Sequence, residues 1–551
     1  MGVGGWILVT PPNTDASTVI QAALNGLTAG RTLKERVVLQ GNFNLSATIL
    51  IPSYTLLIID GKLTLNNGVN TSVLQSFTLD TIHNQIEIHG GIIEGNKGNQ
   101  ATGHGIYLYQ PNDCTVQGVT VRNCKEFGIF FSWGGEANIH RNWILNNDVT
   151  LSGKSGIRIY WNTDHAGTVV ANNICQYNVE HGLLLHALYA YTVVGNSLMR
   201  NTKSGINVDA GGMGPEGVIT GNTISFNTER GILTSNPQGL TIASNELHGN
   251  GFEGVLIGAG ATGVQVTSNN LRDNSLGNAN TYDDIQVLSN GHIIVANTII
   301  NHLGNFDDRN GIFINGGNNC LVASNRISGH KTDGIKITSG NLNFLTGNTV
   351  TGVTGYGVNI TDAASDSNRV KNNDLRGNTA GCINDSGTGT ILDVVRASFI
   401  KELGTAVWIT TAAAPMGIDI DAADEGALAK IKLPSDLQQV VRIKVFGIAQ
   451  VAEADHMVLT VAAGAGVDTV ATPHEAWNAE AIAVAAKPST TVNFANLDVI
   501  QWVFTPADDA DIGHLTADDF LQWCCYYNAI VGADCATDLL LAGEGLEIHY
   551  V

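Results

Sequence analysis

Residues 231–258 read GILTSNPQGLTIASNELHGNGFEGVLIG and hold one full period of an internal repeat. The stretch opens on Gly-apolar-x-apolar at Gly231 and passes an Asn-x-apolar triplet at Asn245. A second Asn follows at Asn250, and the Gly pattern returns at Gly254. Reading outward, the Gly pattern recurs at Gly105, Gly128, Gly156, Gly182 and Gly205, and then at Asp284, Gly311, Gly334, Gly357 and Gly381, with spacings of 23 to 30 residues. The Asn triplet recurs at Asn142, Asn172, Asn196, Asn222, Asn269, Asn297, Asn325, Asn348 and Asn373. Each apolar unit alternates with period two over a short run, the mark of a strand with one buried face.

A unit of roughly 23 residues is too short for a hairpin pair that closes its own core. It fits one coil of a parallel solenoid whose coils stack at the strand spacing of about 4.8 Å. Asn suits the turns because it tolerates left-handed backbone angles. Equivalent Asn side chains in stacked coils can also hydrogen-bond as a ladder. A leucine-rich repeat would need more Leu and a helical segment in each unit. The repeats resemble the right-handed parallel β-helix of the pectate-lyase-like superfamily, over roughly residues 30–390. That resemblance implies the fold and leaves the chemistry open, because many activities share it.

The flanks extend the reading. Asp15–Leu27 (DASTVIQAALNGL) starts on an Asp or Ser cap and carries Val19, Ile20, Ala23 and Leu24 at helical spacing. Residues 1–30 are therefore expected to supply a capping helix for the open end of the solenoid, and residues 31–395 the β-helix itself. The segment after the helix resembles the opening of phage tailspike chains. Asparagine then marks a boundary: 51 fall in residues 1–400 and four in 401–551. Residues 396–551 carry new strand patterns, among them VVRIKVFGIAQV, HMVLTVAAG, DDFLQWCCYYNAIV and a terminal LEIHYV. Their spacing predicts an antiparallel, jelly-roll-like β-sandwich, so the whole chain is expected to be all-β. The ending resembles terminal β-sandwich modules of virion-type spikes, which implies a homotrimer. An accessory carbohydrate-binding or purely stabilising sandwich is the other reading.

Lys+Arg 28 against Asp+Glu 49 leaves a net charge of −21, which argues against a nucleic-acid partner. No apolar run reaches the ~18 residues of a membrane helix, so no membrane insertion is expected. The opening MGVGGWILVTPPNT lacks a basic region and a long apolar stretch, so no signal peptide is read there. The eight cysteines form no CxxC or metal spacing and are expected to be mostly buried free thiols.

On each Gly strand the second and fourth residues after Gly point outward. Stacking then aligns Tyr160, His186 and Asp209 in a column, with Arg158 beside Tyr160. This is the stretch where aromatic, imidazole, carboxylate and guanidinium groups converge. Tyr109 and Phe130 lie on the same outward face, and the following loops add Trp133, Trp161, Asp164, His165, Tyr189 and Tyr191. Aromatic faces beside polar groups suit sugar rings, so the expected partner is a polysaccharide or cell-surface glycan. A uronic-acid lyase or epimerase would use Arg158 to neutralise the substrate carboxylate and acidify the C5 proton. His186 or Tyr160 would move that proton, and Asp209 would orient His186. Hydrolysis by paired carboxylates would use Asp164 and Asp209. A solvated Tyr–His–Asp network without a ligand is the plainest alternative. Short fragments, NTD at Asn162–Asp164, GHG at Gly103–Gly105 and TDGIKI at Thr332–Ile337, are similar to pieces of the polygalacturonase signature, but their order differs from that family's.

No cofactor is expected. Asp283, Asp284, Asp307 and Asp308 on adjacent coils could bind Ca²⁺ through oxygen ligands, as could Asp508, Asp509 and Asp511, though exposed loop acids are the simpler reading of both groups. Three functions follow: a trimeric virion-type spike or adhesin, located on a virion surface or extracellularly, with a glycan-contacting and even polysaccharide-degrading β-helix; a monomeric polysaccharide lyase, epimerase or hydrolase with an accessory sandwich; and a structural shell protein without ligand.

Overall fold

The structure, a computed structural model, describes residues 7–9, 15–77, 81–133, 141–161, 167–188, 190–209, 216–277, 281–302 and 308–397, and beyond these the backbone of strands only. The chain divides into two compact units, one of Met1–Asn368 with Asp385–Gly389 and the other of Arg369–Asn384 with Thr390–Val551.

The first unit is a parallel β-solenoid. A typical coil has three short strands, such as Ile157–Tyr160, Thr168–Ala171 and Ile174–Gln176. Each pairs in parallel with its counterpart one coil away, as Ile157–Tyr160 does with Ile129–Ser132 and Leu183–His186. Inward residues of the Gly strands, Ile129, Ile157, Leu183, Ile206 and Ile232, have no exposed surface. Burying each such side chain contributes about 1.5–3 kcal/mol before the entropy of ordering it. The repeat Gly meets a steric demand: a Cβ on Gly128 would lie 2.7 Å from the carbonyl oxygen of Gly156 and 2.3 Å from Val149 Cγ1.

The repeated Asn does a different job from a left-handed turn. Asn147, Asn173, Asn196, Asn222, Asn245, Asn269, Asn297, Asn325 and Asn348 form one buried ladder, each Nδ2 donating to the next Oδ1. The left-handed angle belongs to the residue before: Asn146, Asn172, Gly195, Gly221, Ser244, Ser268, Ala296, Ser324 and Gly347 all have positive φ. The turn thus aims the following amide inward. Asn142 and Asn172 are accordingly not rungs. Asn142 instead accepts from the Cys114 N–H at 3.0 Å, and Asn172 takes the turn.

A helix spans Ser17–Asn25, with Ile20 and Leu24 buried and Val19 exposed. Asp15 accepts from the amides of Ser17 and Ser46, at 3.1 and 2.9 Å, and from Ser46 Oγ. Gln21 bonds both backbone groups of Leu50 in the strand Ile49–Ile51, accepting at 2.8 Å and donating at 3.0 Å. Among the described residues no helix is long and apolar enough to cross a membrane. The five described cysteines, Cys114, Cys124, Cys175, Cys320 and Cys382, are free and buried.

The second unit carries two antiparallel sheets. One orders Val407–Ile409, Gly417–Ile420, Leu539–Tyr550, Val440–Ala449 and Val499–Phe504, with Asp393–Ala397 also paired to Leu539–Tyr550. The other orders Phe399–Leu403, Gly426–Lys432, Phe520–Tyr527, Val458–Gly466 and Trp477–Pro488.

Candidate functional site

The register of the Gly strands decides which outward side chains meet. Tyr107, Phe130, Arg158, Leu184 and Asn207 are partners in one row, and Tyr109, Ser132, Tyr160, His186 and Asp209 in the next. The Tyr160 and His186 rings stack at 4.6 Å and 15°. His186 Nδ1 lies 3.2 Å from Asp209 Oδ2. A carboxylate there favours the tautomer with hydrogen on Nδ1, leaving Nε2 as the basic nitrogen.

Arg158 sits against three rings, its guanidinium carbon 4.8 Å from the Phe127 centroid and 5.1 Å from those of Phe130 and Tyr160. Its buried Nε has no hydrogen-bond partner among the described residues. Partial burial lowers its pKa, against the opposing pull of Tyr160, Glu180, Asp209 and Glu126. Other cations beside this face are matched to carboxylates. Lys154 lies 2.7 Å from Glu126, Lys203 lies 3.7 Å from Glu180, and Arg230 lies 2.7 Å from Glu253.

Around Arg158 the rings form a platform. Tyr107 and Phe130 stack at 4.9 Å and 8°, and Tyr107 Oη lies 3.2 Å from Ser132 Oγ. His104 stacks on Phe127 at 5.4 Å and accepts the Phe127 N–H on Nδ1. Burial pushes His104 down to about 4, with Lys154 and Arg158 adding to the shift and Glu126 opposing it. Burial alone would raise Glu126, but bonds from Lys154, Thr102 and the Gly103 amide outweigh it and hold Glu126 at about 2. His104, Tyr107 and Phe127 were not among the expected site residues. Their signal was position: His104 and Phe127 immediately precede repeat glycines and so form a column at the corner of the same face.

Among the expected residues, the structure brings Arg158, Tyr160, His186 and Asp209 together and places Phe130 against Arg158. Tyr109 stands in the Tyr160 row, two coils away. Trp133 and Trp161 differ from expectation. They are 2% and 0% exposed and pack edge-on at 5.7 Å. Both are fifth after the repeat Gly, so the period-two alternation that turns Arg158 and Tyr160 outward turns them inward. Tyr191 is buried for a related reason, lying on the inward side of the strand Tyr191–Val194. Asp164, His165 and Tyr189 lie outside the described residues, as do Asp307, Asp508, Asp509 and Asp511.

The acids near residue 283 are not an exposed oxygen cluster. Asp283 pairs with Arg309 through both carboxylate oxygens, at 3.0 and 2.6 Å. Asp284 and Asp308 are fully buried, and a ligand atom of each lies within 4.8 Å of one from His330.

Comparison with known proteins extends the picture. The family model for the right-handed beta helix region matches residues 64–173, 145–271 and 267–399. No curated protein matches the sequence. Among solved structures, a tailspike protein mutant of E. coli bacteriophage HK620, in complex with a pentasaccharide, is 12% identical with a TM-score of 0.52. That match covers 94% of this chain and 91% of the tailspike chain. The Dettilon tailspike protein is 13% identical, TM-score 0.40, with 95% and 94% covered. A mannuronan C-5 epimerase A-module from Azotobacter vinelandii is 19% identical, TM-score 0.48, with 64% and 95% covered. At 12% identity the likeness to the HK620 tailspike is one of fold.

Proposed function

The chain belongs to the right-handed β-helix family, and from that premise we propose that its Tyr107–Asp209 face contacts an acidic glycan as part of a virion-type spike or adhesin. The observation that carries the reading is Arg158. An outward guanidinium among three rings, with no carboxylate partner among the described residues, suits the carboxylate of an acidic sugar. Phe130, Tyr107 and Tyr109 then support neighbouring rings. The HK620 tailspike's bound pentasaccharide is consistent with this use of the scaffold. The helix Ser17–Asn25 would cap the solenoid end, and the two C-terminal sheets would pack as a sandwich that holds three chains together. Residues 1–30, 31–395 and 396–551 would be the working parts, on a virion surface or otherwise extracellular.

The His186–Asp209 contact favours a second use of the same face. With Arg158 neutralising a uronate carboxylate, His186 Nε2 would move a C5 proton, with Tyr160 stacked on its ring. Titration calorimetry with acidic and neutral oligosaccharides of equal length tests the binding claim. Preference for the acidic series, lost in Arg158→Ala, is expected, and equal binding of both series rejects it. Unsaturated or epimerised product that disappears in His186→Ala would add catalysis to binding. Product formed equally by that variant would remove His186 from the chemistry.

A further inference from the structure

We propose that Asp284, Asp308 and His330 bind a divalent transition-metal ion, Zn²⁺ or Mn²⁺ by donor type, inside the solenoid. The argument begins with a break in the repeat. Asp284 stands where the neighbouring coils carry Gly254 and Gly311. A Cβ on Gly254 would meet Leu271 Cδ2 at 2.8 Å, and one on Gly311 would meet Ile327 Cγ2 at 2.4 Å. Only a coil with altered surroundings admits a side chain here.

Those surroundings are the end of a second amide ladder. Asn178, Asn201, Asn227, Asn250 and Asn274 follow one another, each Nδ2 donating to the next Oδ1 at 2.9–3.0 Å. Asn274 then donates to Asp284 Oδ1 at 2.7 Å. The next position in that column is His302, whose side chain is 58% exposed and so leaves the interior. The break is bridged by His330 Nε2, 2.9 Å from Asp284 Oδ2 across 46 residues of sequence. Asp308 enters the same place, and one ligand atom from each residue lies within 4.8 Å of the others. All three side chains are buried.

Where the column elsewhere holds neutral amides, two carboxylates and an imidazole gather at its end. Two carboxylates and an imidazole nitrogen, buried and within 4.8 Å of one another, can converge on one divalent ion. His330 Nδ1, also buried and without a hydrogen-bond partner among the described residues, leaves the ring's orientation to be set by what Nε2 faces. The donor set selects the ion. Ca²⁺ takes six to eight oxygens, whereas a nitrogen with two carboxylate oxygens suits Zn²⁺ or Mn²⁺. Asp283 stays outside the site because Arg309 holds both of its oxygens.

The test uses the full-length chain. Metal content is measured by plasma mass spectrometry after native dialysis against EDTA. The chain is then unfolded and refolded in EDTA alone or with Zn²⁺, Mn²⁺ or Ca²⁺, and its thermal midpoint recorded. Near-stoichiometric Zn²⁺ or Mn²⁺ that survives dialysis, with a midpoint raised by that ion and not by Ca²⁺, is expected. Asp308→Asn and His330→Gln should each lower the metal ratio severalfold. A metal-free wild-type chain whose midpoint no ion moves would mean an internal Asp–His pair only and would overturn the proposal. Retention of the ion by both variants would overturn it as well, and so would stabilisation by Ca²⁺ alone. If the variants fail to fold, the wild-type arms decide.

Discussion

Arg158 shows what one residue adds to the face. Set among three rings and with no carboxylate partner among the described residues, Arg158 is the group proposed to receive an anion, and a charge-assisted hydrogen bond to a carboxylate contributes on the order of 1.5–3 kcal/mol. Arg158→Ala should therefore weaken an acidic oligosaccharide about 10- to 100-fold by calorimetry, with Arg158→Lys intermediate because it loses the planar fork. Neutral sugars should be nearly unaffected. His104 supplies a pH signature at the same scale. Its folded pKa of about 4 lies below the ordinary 6.5, as do those of His181 and His292, both also lowered to about 4 by burial. The unfolded chain then binds more protons between those values, so stability is full above pH 6.5 and is lost as pH falls toward 4. Each such histidine accounts for up to roughly 3 kcal/mol of stability lost between pH 6.5 and about 4. Denaturant midpoints at pH 7, 6 and 5 should fall in that order; a flat series would mean these rings protonate in the folded state.

At the scale of the element, the ladder of amides is the distinctive part. Asn222 accepts from Asn196, and its Nδ2 donates to Asn245 Oδ1 at 2.9 Å and to the Val193 carbonyl at 3.0 Å. Removing it leaves buried groups on two neighbouring coils without partners, each at about 1–3 kcal/mol. Asn222→Ala should lower the unfolding free energy by roughly 2–4 kcal/mol in urea titration. Asn172→Gly, at a left-handed turn position already taken by glycine in other coils, should cost well under 1 kcal/mol. A similar loss from both would show that the turn, and not the amide, is what the repeat conserves.

At the scale of the whole molecule, assembly is what the C-terminal unit is proposed to decide. Two antiparallel sheets follow the solenoid, and the strand Asp393–Ala397 already belongs to one of them through its pairing with Leu539–Tyr550. If that unit drives assembly, light scattering after gel filtration should return about three chain masses for the full protein, and about one for a chain cut near Ser398. A single chain mass in both cases would make the C-terminal unit an accessory module and leave the proposed glycan face to act alone.

The coils, their period and the outward rows that contain Arg158, Tyr160, His186 and Asp209 were legible in the sequence. A strand's period of two and a solenoid's fixed repeat turn residue numbers directly into neighbours. Even the misplaced indoles of Trp133 and Trp161 follow the same alternation once it is carried one residue further. What only the tertiary structure decided is what happens between columns. The ring of Phe127 reaches Arg158 across the corner of a coil. The left-handed turn falls one residue ahead of each ladder Asn, and Asp284 meets His330 across 46 residues. Those meetings depend on side-chain direction at turns and on how the corner of one coil faces the next, and a one-dimensional repeat carries neither.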